Sequence, residues 1–227
     1  MNPLTCLLNL IYPPKCVVCH KLLESSRAPV CPHCMDNLPE HDGADPHVRF
    51  ADRCVATCFY EEPLRTSIHR FKFGGCRQYA AVYGKWMAVT IGDKLAGKFD
   101  LITWAPVSRE RRKKRGYDQA ELLCKAVSRA LDVPMARTLT KGTDNPAQST
   151  LTDAAMRAAN VRGVYQPYGP ETFQGKRLLL IDDIVTTGSP LSECSRAMLT
   201  AGAHSVVCAA LATPRKNPEH KGELSSH

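Results

Sequence analysis

The apolar positions of this chain follow no steady period at first, then settle into two alternating kinds of spacing. In the first 50 residues cysteine, proline and histidine are frequent, and neither helical nor strand-like spacing persists. From there the texture changes. Residues 53–60 read as a strand, and residues 64–73 and 77–91 repeat apolar side chains at helical spacing, broken at Gly74 and Gly75. Residues 100–107 predict a buried strand that stops at Pro106. Over 117–131, Leu122, Leu123, Ala126, Val127, Ala130 and Leu131 mark the apolar face of an amphipathic helix. A short strand is expected at 135–139, then a polar loop at 141–152. Residues 177–181, 190–201 and 205–211 complete a strand, a helix and a strand. Strands alternating with helices favour a parallel sheet with right-handed crossovers. The expected organisation is a small module over 1–50, an α/β domain over 51–214 and a polar, disordered tail over 215–227. A length of 227 residues accommodates both parts.

Composition adds boundaries to this picture. Hydrophobic residues make up 44% and charged residues 23%, as in ordinary globular chains. No run approaches the roughly 18 apolar residues that a membrane-spanning helix needs. Residues 4–12 are mildly apolar but short, with no basic flank before them and no small-residue cleavage site after them. We therefore expect a cytoplasmic protein without a leader, with peripheral contact at the inner face of the membrane left open for that segment. Net charge is +8, and residues 1–50 hold four Lys/Arg against five Asp/Glu. The excess thus lies downstream, densest over Arg109–Arg115. Such a field attracts nucleic acid, nucleotide, diphosphate or an anionic surface, or simply keeps the chain soluble.

Eleven cysteines, an odd number, argue against a secreted disulfide scaffold. Four of them form two knuckles, Cys16-x2-Cys19 and Cys31-x2-Cys34, eleven residues apart. Each knuckle offers two thiolates, and two knuckles close a tetrahedron around Zn2+ with no position left for substrate. The ion would be structural and would stabilise a segment too small to bury a core. His20 and His33 stand beside these cysteines as alternative ligands. Cys54 and Cys58 have the spacing of one strand face, which favours core packing.

The strongest local chemistry follows residues 177–181, an apolar run suited to a strand buried on both faces. Asp182 and Asp183 come next, where α/β folds bind ligands, then Thr186, Thr187, Gly188 and Ser189. A helix opened by Pro190 at its first position is expected to follow. Hydroxyls and free N–H groups at such a turn cradle a phosphate, while the two carboxylates accept hydrogen bonds from ribose hydroxyls. A plain helix cap at Ser189 would need one polar residue and none of the rest.

The segment LLLIDDIVTTGS at 178–189 resembles the phosphoribosyl-diphosphate motif of type I phosphoribosyltransferases. The resemblance implies ribose contacts for Asp182 and Asp183, and a 5′-phosphate cradle from Thr186, Thr187, Gly188 and Ser189. Pro190 stands where that motif usually has a threonine. Beyond it the chain resembles the ComF family of competence and DNA-utilisation proteins. The likeness rests on Pro13-Pro14-x-Cys16-x2-Cys19, Phe71-Lys72-Phe73-Gly74, Ala105-Pro106-Val107, Arg115-Gly116-Tyr117-Asp118-Gln119 and Arg157-x-x-Asn160-Val161. Asp118 replaces the asparagine usual in that family and sets a carboxylate near the presumed anion site.

This resemblance implies a type I phosphoribosyltransferase-like parallel sheet flanked by helices, behind a four-cysteine zinc module. It also implies binding of single-stranded DNA, with Arg109, Arg111, Arg112, Arg115 and Lys72 directed at its phosphates or at a diphosphate. Tyr117 and Phe73 would stack on bases or pack in the core. An active phosphoribosyltransferase, using phosphoribosyl diphosphate with Mg2+ and an unidentified acceptor, is the enzymatic alternative. Docking of a DNA-uptake helicase or recombination mediator through the basic face is the third.

Overall fold

A computed structural model describes residues 13–25, 28–142 and 163–215. The apolar segment 4–12, most of the 141–152 loop, Arg157, Asn160 and the tail beyond residue 215 lie outside the described residues.

Helix α1 (Pro32–Asp36) belongs to the cysteine-rich module. Strand β1 (Arg53–Phe59) leads into α2 (Leu64–Phe73) and α3 (Tyr79–Leu95). Then come β2 (Leu101–Trp104), the short basic helix α4 (Arg109–Arg115) and α5 (Gln119–Leu131). A two-stranded antiparallel ribbon, β3 (Leu139–Lys141) and β4 (Tyr165–Pro167), precedes β5 (Arg177–Ile184), α6 (Ser189–Thr200) and β6 (Ser205–Thr213).

The main sheet is parallel, in the order β1-β6-β5-β2. Its two inner strands run apolar over Leu178–Ile181 and Val206–Ala212 because helices cover both faces. Helices α3 and α5 cover one side, above Val55, Ile102, Leu179, Ile181 and Val207. Helix α6 covers the other, above Leu178, Leu180, Val206 and Cys208. Helices α3 and α5 approach closely because Gly84 has no side chain: a Cβ there would lie 2.3 Å from that of Ala126.

The cysteine-rich module shares the first of these cores. Cys16, Val17, Val18, Val30 and Cys34 are buried in one cluster with Ile68, Phe71 and Tyr83. Cys54 and Cys58 are core residues as expected, although they pack on opposite sides of the sheet.

Two boundaries differ from those expected and bear on the site. β5 does not stop at Ile181. β6 continues beside it, pairing Asp182 with Ala210 and Ile184 with Ala212, so the strand carries both aspartates past the end of β2 at Trp104. Helix α6 is capped by Gly188, in the left-handed region at φ 70°, so Ser189 opens the helix and Pro190 is its second residue. Pro190 thus occupies a position whose N–H has no helical partner in any case.

Candidate functional site: a four-cysteine knuckle and an acid pair

The four knuckle cysteines come together. Their sulfur atoms all lie within 4.8 Å of one another, with no histidine in the set. A tetrahedron with metal–sulfur bonds of about 2.3 Å places its sulfurs about 3.8 Å apart. Cys19 Sγ and Cys31 Sγ are separated by 3.8 Å. Burial raises the Cys16 thiol, yet backbone N–H groups of Cys31, Cys19 and Val18 outweigh it and bring it down to about 7. Burial pushes the Cys34 thiol up. The donor set fits a structural Zn2+ held by Cys16, Cys19, Cys31 and Cys34. Every cysteine among the described residues is free of disulfides.

The knuckle is tied to α2 by its own backbone. Ser67 Oγ donates to the Val17 carbonyl and lies 2.5 Å from Tyr83 Oη. The Arg70 guanidinium donates to the Val18 carbonyl at 2.5 Å and to that of Val17 at 3.4 Å.

Two residues further along α2, Lys72 Nζ lies 3.0 Å from Asp183 Oδ1, with side-chain exposures of 19% and 12%. Lys72 therefore sits on the Asp183 carboxylate in this structure. Asp182 lies on the opposite face of β5 and accepts a hydrogen bond from the Asp183 N–H at 2.8 Å. Burial, then the adjacent Asp183 charge, pushes the Asp182 carboxyl up to about 8. Two acidic side chains at consecutive positions, with Lys72 between Asp183 and the basic helix, suit a ligand that brings hydroxyl groups.

Beyond the acids the chain turns. Thr186 and Thr187 are exposed, and Thr187 Oγ1 accepts from the Ser189 N–H at 3.3 Å and donates to Ser189 Oγ at 3.0 Å. At Gly188 a Cβ would meet the His47 carbonyl oxygen at 2.5 Å. The Arg49 N–H donates to Ser192 Oγ at 2.9 Å. So residues 47–49, from the link between the module and the sheet, wall the turn at 186–189. Sequence reasoning missed this wall, and nothing in the composition of that segment announces it.

Helix α4 stands on the same rim. Ser108 caps it by accepting from the Arg111 N–H at 3.2 Å. Arg109 and Arg112 are exposed, Arg111 and Arg115 half-buried. Arg112 pairs with Glu121 at 3.1 Å. Arg115 donates to Gln119 Oε1 at 2.8 Å and stacks over Phe73 with 4.8 Å to the ring centre. Gln119 in turn donates to the Lys72 carbonyl at 3.3 Å. A chain of contacts thus runs Asp183–Lys72–Gln119–Arg115, from the acid pair to the basic helix.

Asp118 points away from solvent. It is 2% exposed, and its two oxygens accept from the Val107 N–H at 2.9 Å and the Glu121 N–H at 3.2 Å. Burial raises its carboxyl. It is a strut between the β2–α4 loop and α5, with both carboxylate oxygens committed to backbone N–H groups. Tyr117 is likewise a core residue, 6% exposed, with its hydroxyl donating to the Phe71 carbonyl. Of the two aromatic residues expected either to stack on bases or to pack inside, only Phe73, 57% exposed, is at the surface.

Comparison with known proteins agrees with this geometry. Residues 118–225 match the phosphoribosyl transferase domain and residues 7–45 the double zinc ribbon domain. The DNA utilization protein YhgH of Escherichia coli K12 is 28% identical over 204 residues, covering 84% of this chain and 86% of that one. Competence protein F of Haemophilus influenzae is 29% identical over 203 residues, with the same coverage of both chains. Competence protein ComFC of Bacillus subtilis is 25% identical over 149 residues, covering 63% of this chain and 56% of that one. The four-cysteine knuckle, the parallel sheet and these matches together make the chain a homologue of the ComF and YhgH proteins, a zinc ribbon joined to a type I phosphoribosyltransferase-like domain.

Proposed function

We propose that this protein binds single-stranded DNA in the handling of incoming DNA, as the names of its relatives suggest, and does so beside a retained ribose-phosphate site. The observation that carries the reading is the contact chain Asp183–Lys72–Gln119–Arg115, which joins the ribose carboxylates to the basic helix. A strand laid along that rim would meet, in succession, groups suited to sugar and groups suited to phosphate. Asp182 and Asp183 take the ribose, and Thr186, Thr187, Gly188 and Ser189 take a terminal phosphate. Arg109, Arg111, Arg112 and Arg115 neutralise the backbone. The reading places the protein in the cytoplasm, where thiolate ligands stay reduced. No described helix is long and apolar enough to cross a membrane.

The test is fluorescence anisotropy of a labelled oligodeoxythymidylate across a salt series. Binding should weaken steeply with salt, and Arg111→Ala with Arg112→Ala and Arg115→Ala should flatten the log–log slope by about 2 to 3. Unchanged affinity in the triple variant would overturn the reading.

The match to the phosphoribosyl transferase domain favours a second reading, transfer of a phosphoribosyl group from phosphoribosyl diphosphate with Mg2+ on the diphosphate. Calorimetry with phosphoribosyl diphosphate and Mg2+ decides it. Saturable heat that disappears in Asp182→Asn with Asp183→Asn supports an active site, and no heat at millimolar ligand removes it.

A further inference from the structure

The basic helix is one wall of a cleft, and the opposite wall has no assigned role. This cleft, of about 540 Å³, lies at the β2 edge of the sheet. Arg109 and Arg112 of α4 line one side, Arg137, Thr140 and Lys141 the other, and Trp104, Pro106 and Val107 the floor. Among the described residues two acidic ones touch it, Glu110 and Asp118, and Asp118 is committed to two backbone N–H groups. Among the described residues, four cationic side chains therefore line this cleft.

Each wall also brings a surface aromatic ring with an arginine stacked on it. Phe73, 57% exposed, carries Arg115 at 4.8 Å. Tyr168, 52% exposed, carries Arg137 at 4.9 Å. Tyr168 follows β4 directly and is fixed by its N–H donating to the Thr138 carbonyl at 2.8 Å. Cations between two exposed aromatic platforms match a backbone that carries a charge at every step and bases free to unstack. A duplex has the charges but keeps its bases stacked within the helix.

We propose that the β3–β4 ribbon is the second half of a single-strand track. In this track the strand passes Phe73 and Arg115, crosses the cleft between α4 and the ribbon, and stacks a base on the Tyr168–Arg137 pair. Arg137 and Lys141 take phosphates. This rests on the single-strand reading above and adds residues on which that reading does not depend.

The experiment uses the full-length, zinc-loaded protein with a labelled oligodeoxythymidylate, alongside a duplex of equal length. Tyr168→Ala should weaken single-strand binding about tenfold with its salt slope unchanged, because a base stack and no charge is lost. Tyr168→Phe should bind as the native protein does. Arg137→Ala should weaken binding and reduce the slope by about one. Both side chains are exposed, so melting curves should match the native protein. The duplex should bind more weakly than the single strand. If Tyr168→Ala and Arg137→Ala bind normally while the α4 triple variant is impaired, the ribbon is not on the path and the broader reading stands. Duplex binding equal to single-strand binding would overturn the stacking role. No binding by the native protein would remove both.

Discussion

At the scale of single residues, the chemistry turns on the charge state of the acid pair. An acid held near 8 in the folded chain, against about 4 when unfolded, keeps its proton longer in the native state. Between about pH 4 and pH 8 the native state therefore binds more protons than the unfolded one, and this group lowers stability as pH rises. Asp182→Asn should remove that slope, gaining about 1 to 3 kcal/mol over the native chain at pH 8 and little at pH 4. Thermal melts from pH 4 to pH 9 check it. The same variant should lose ribose-phosphate binding, as expected where a ligand site is held at the cost of stability. Lys72→Met acts in the opposite direction. It leaves Asp183 without its cation beside a second carboxyl and should cost about 2 kcal/mol at neutral pH, read from urea midpoints.

At the scale of elements, Asp118 shows how a departure from a family pattern resolves once its surroundings are known. In sequence it is a carboxylate in the wrong place for an anion site. In the fold it caps α5 and at the same time holds the Val107 N–H, using both oxygens as acceptors. Asparagine offers only one such oxygen, so Asp118→Asn should cost about 1 to 2 kcal/mol in chemical denaturation and loosen the start of α4. The strands and helices of the sheet were legible because apolar runs and helical spacing are local signals. So were the four cysteines and the Asp182-to-Ser189 turn, where unusual residue types crowd into a few positions. The end of β5 was not legible, since it depends on β6 continuing beside it to Thr213. Nor was the fate of Tyr117, because burial of that ring is decided by α2 and Phe71, some 46 positions away.

At the scale of the whole molecule, the knuckle and the crevice share a core, and helix α2 carries hydrogen bonds to both. Stripping the metal should therefore do more than unfold a small ribbon. Chelation under mild denaturant is expected to lower Tm by about 10 °C and to weaken ligand binding at the distant acid pair, with zinc restoring both. Differential scanning with and without chelator, together with calorimetry, measures the two effects. The contact of His47 with Gly188 carries the point further. A chain cut at residue 50 would keep every residue of the phosphate motif, yet it would lose the carbonyl that closes the turn from outside. The turn at 186–189 is thus walled by residues that precede the sheet, and a fragment that starts at β1 should bind ligand there more weakly than the whole chain.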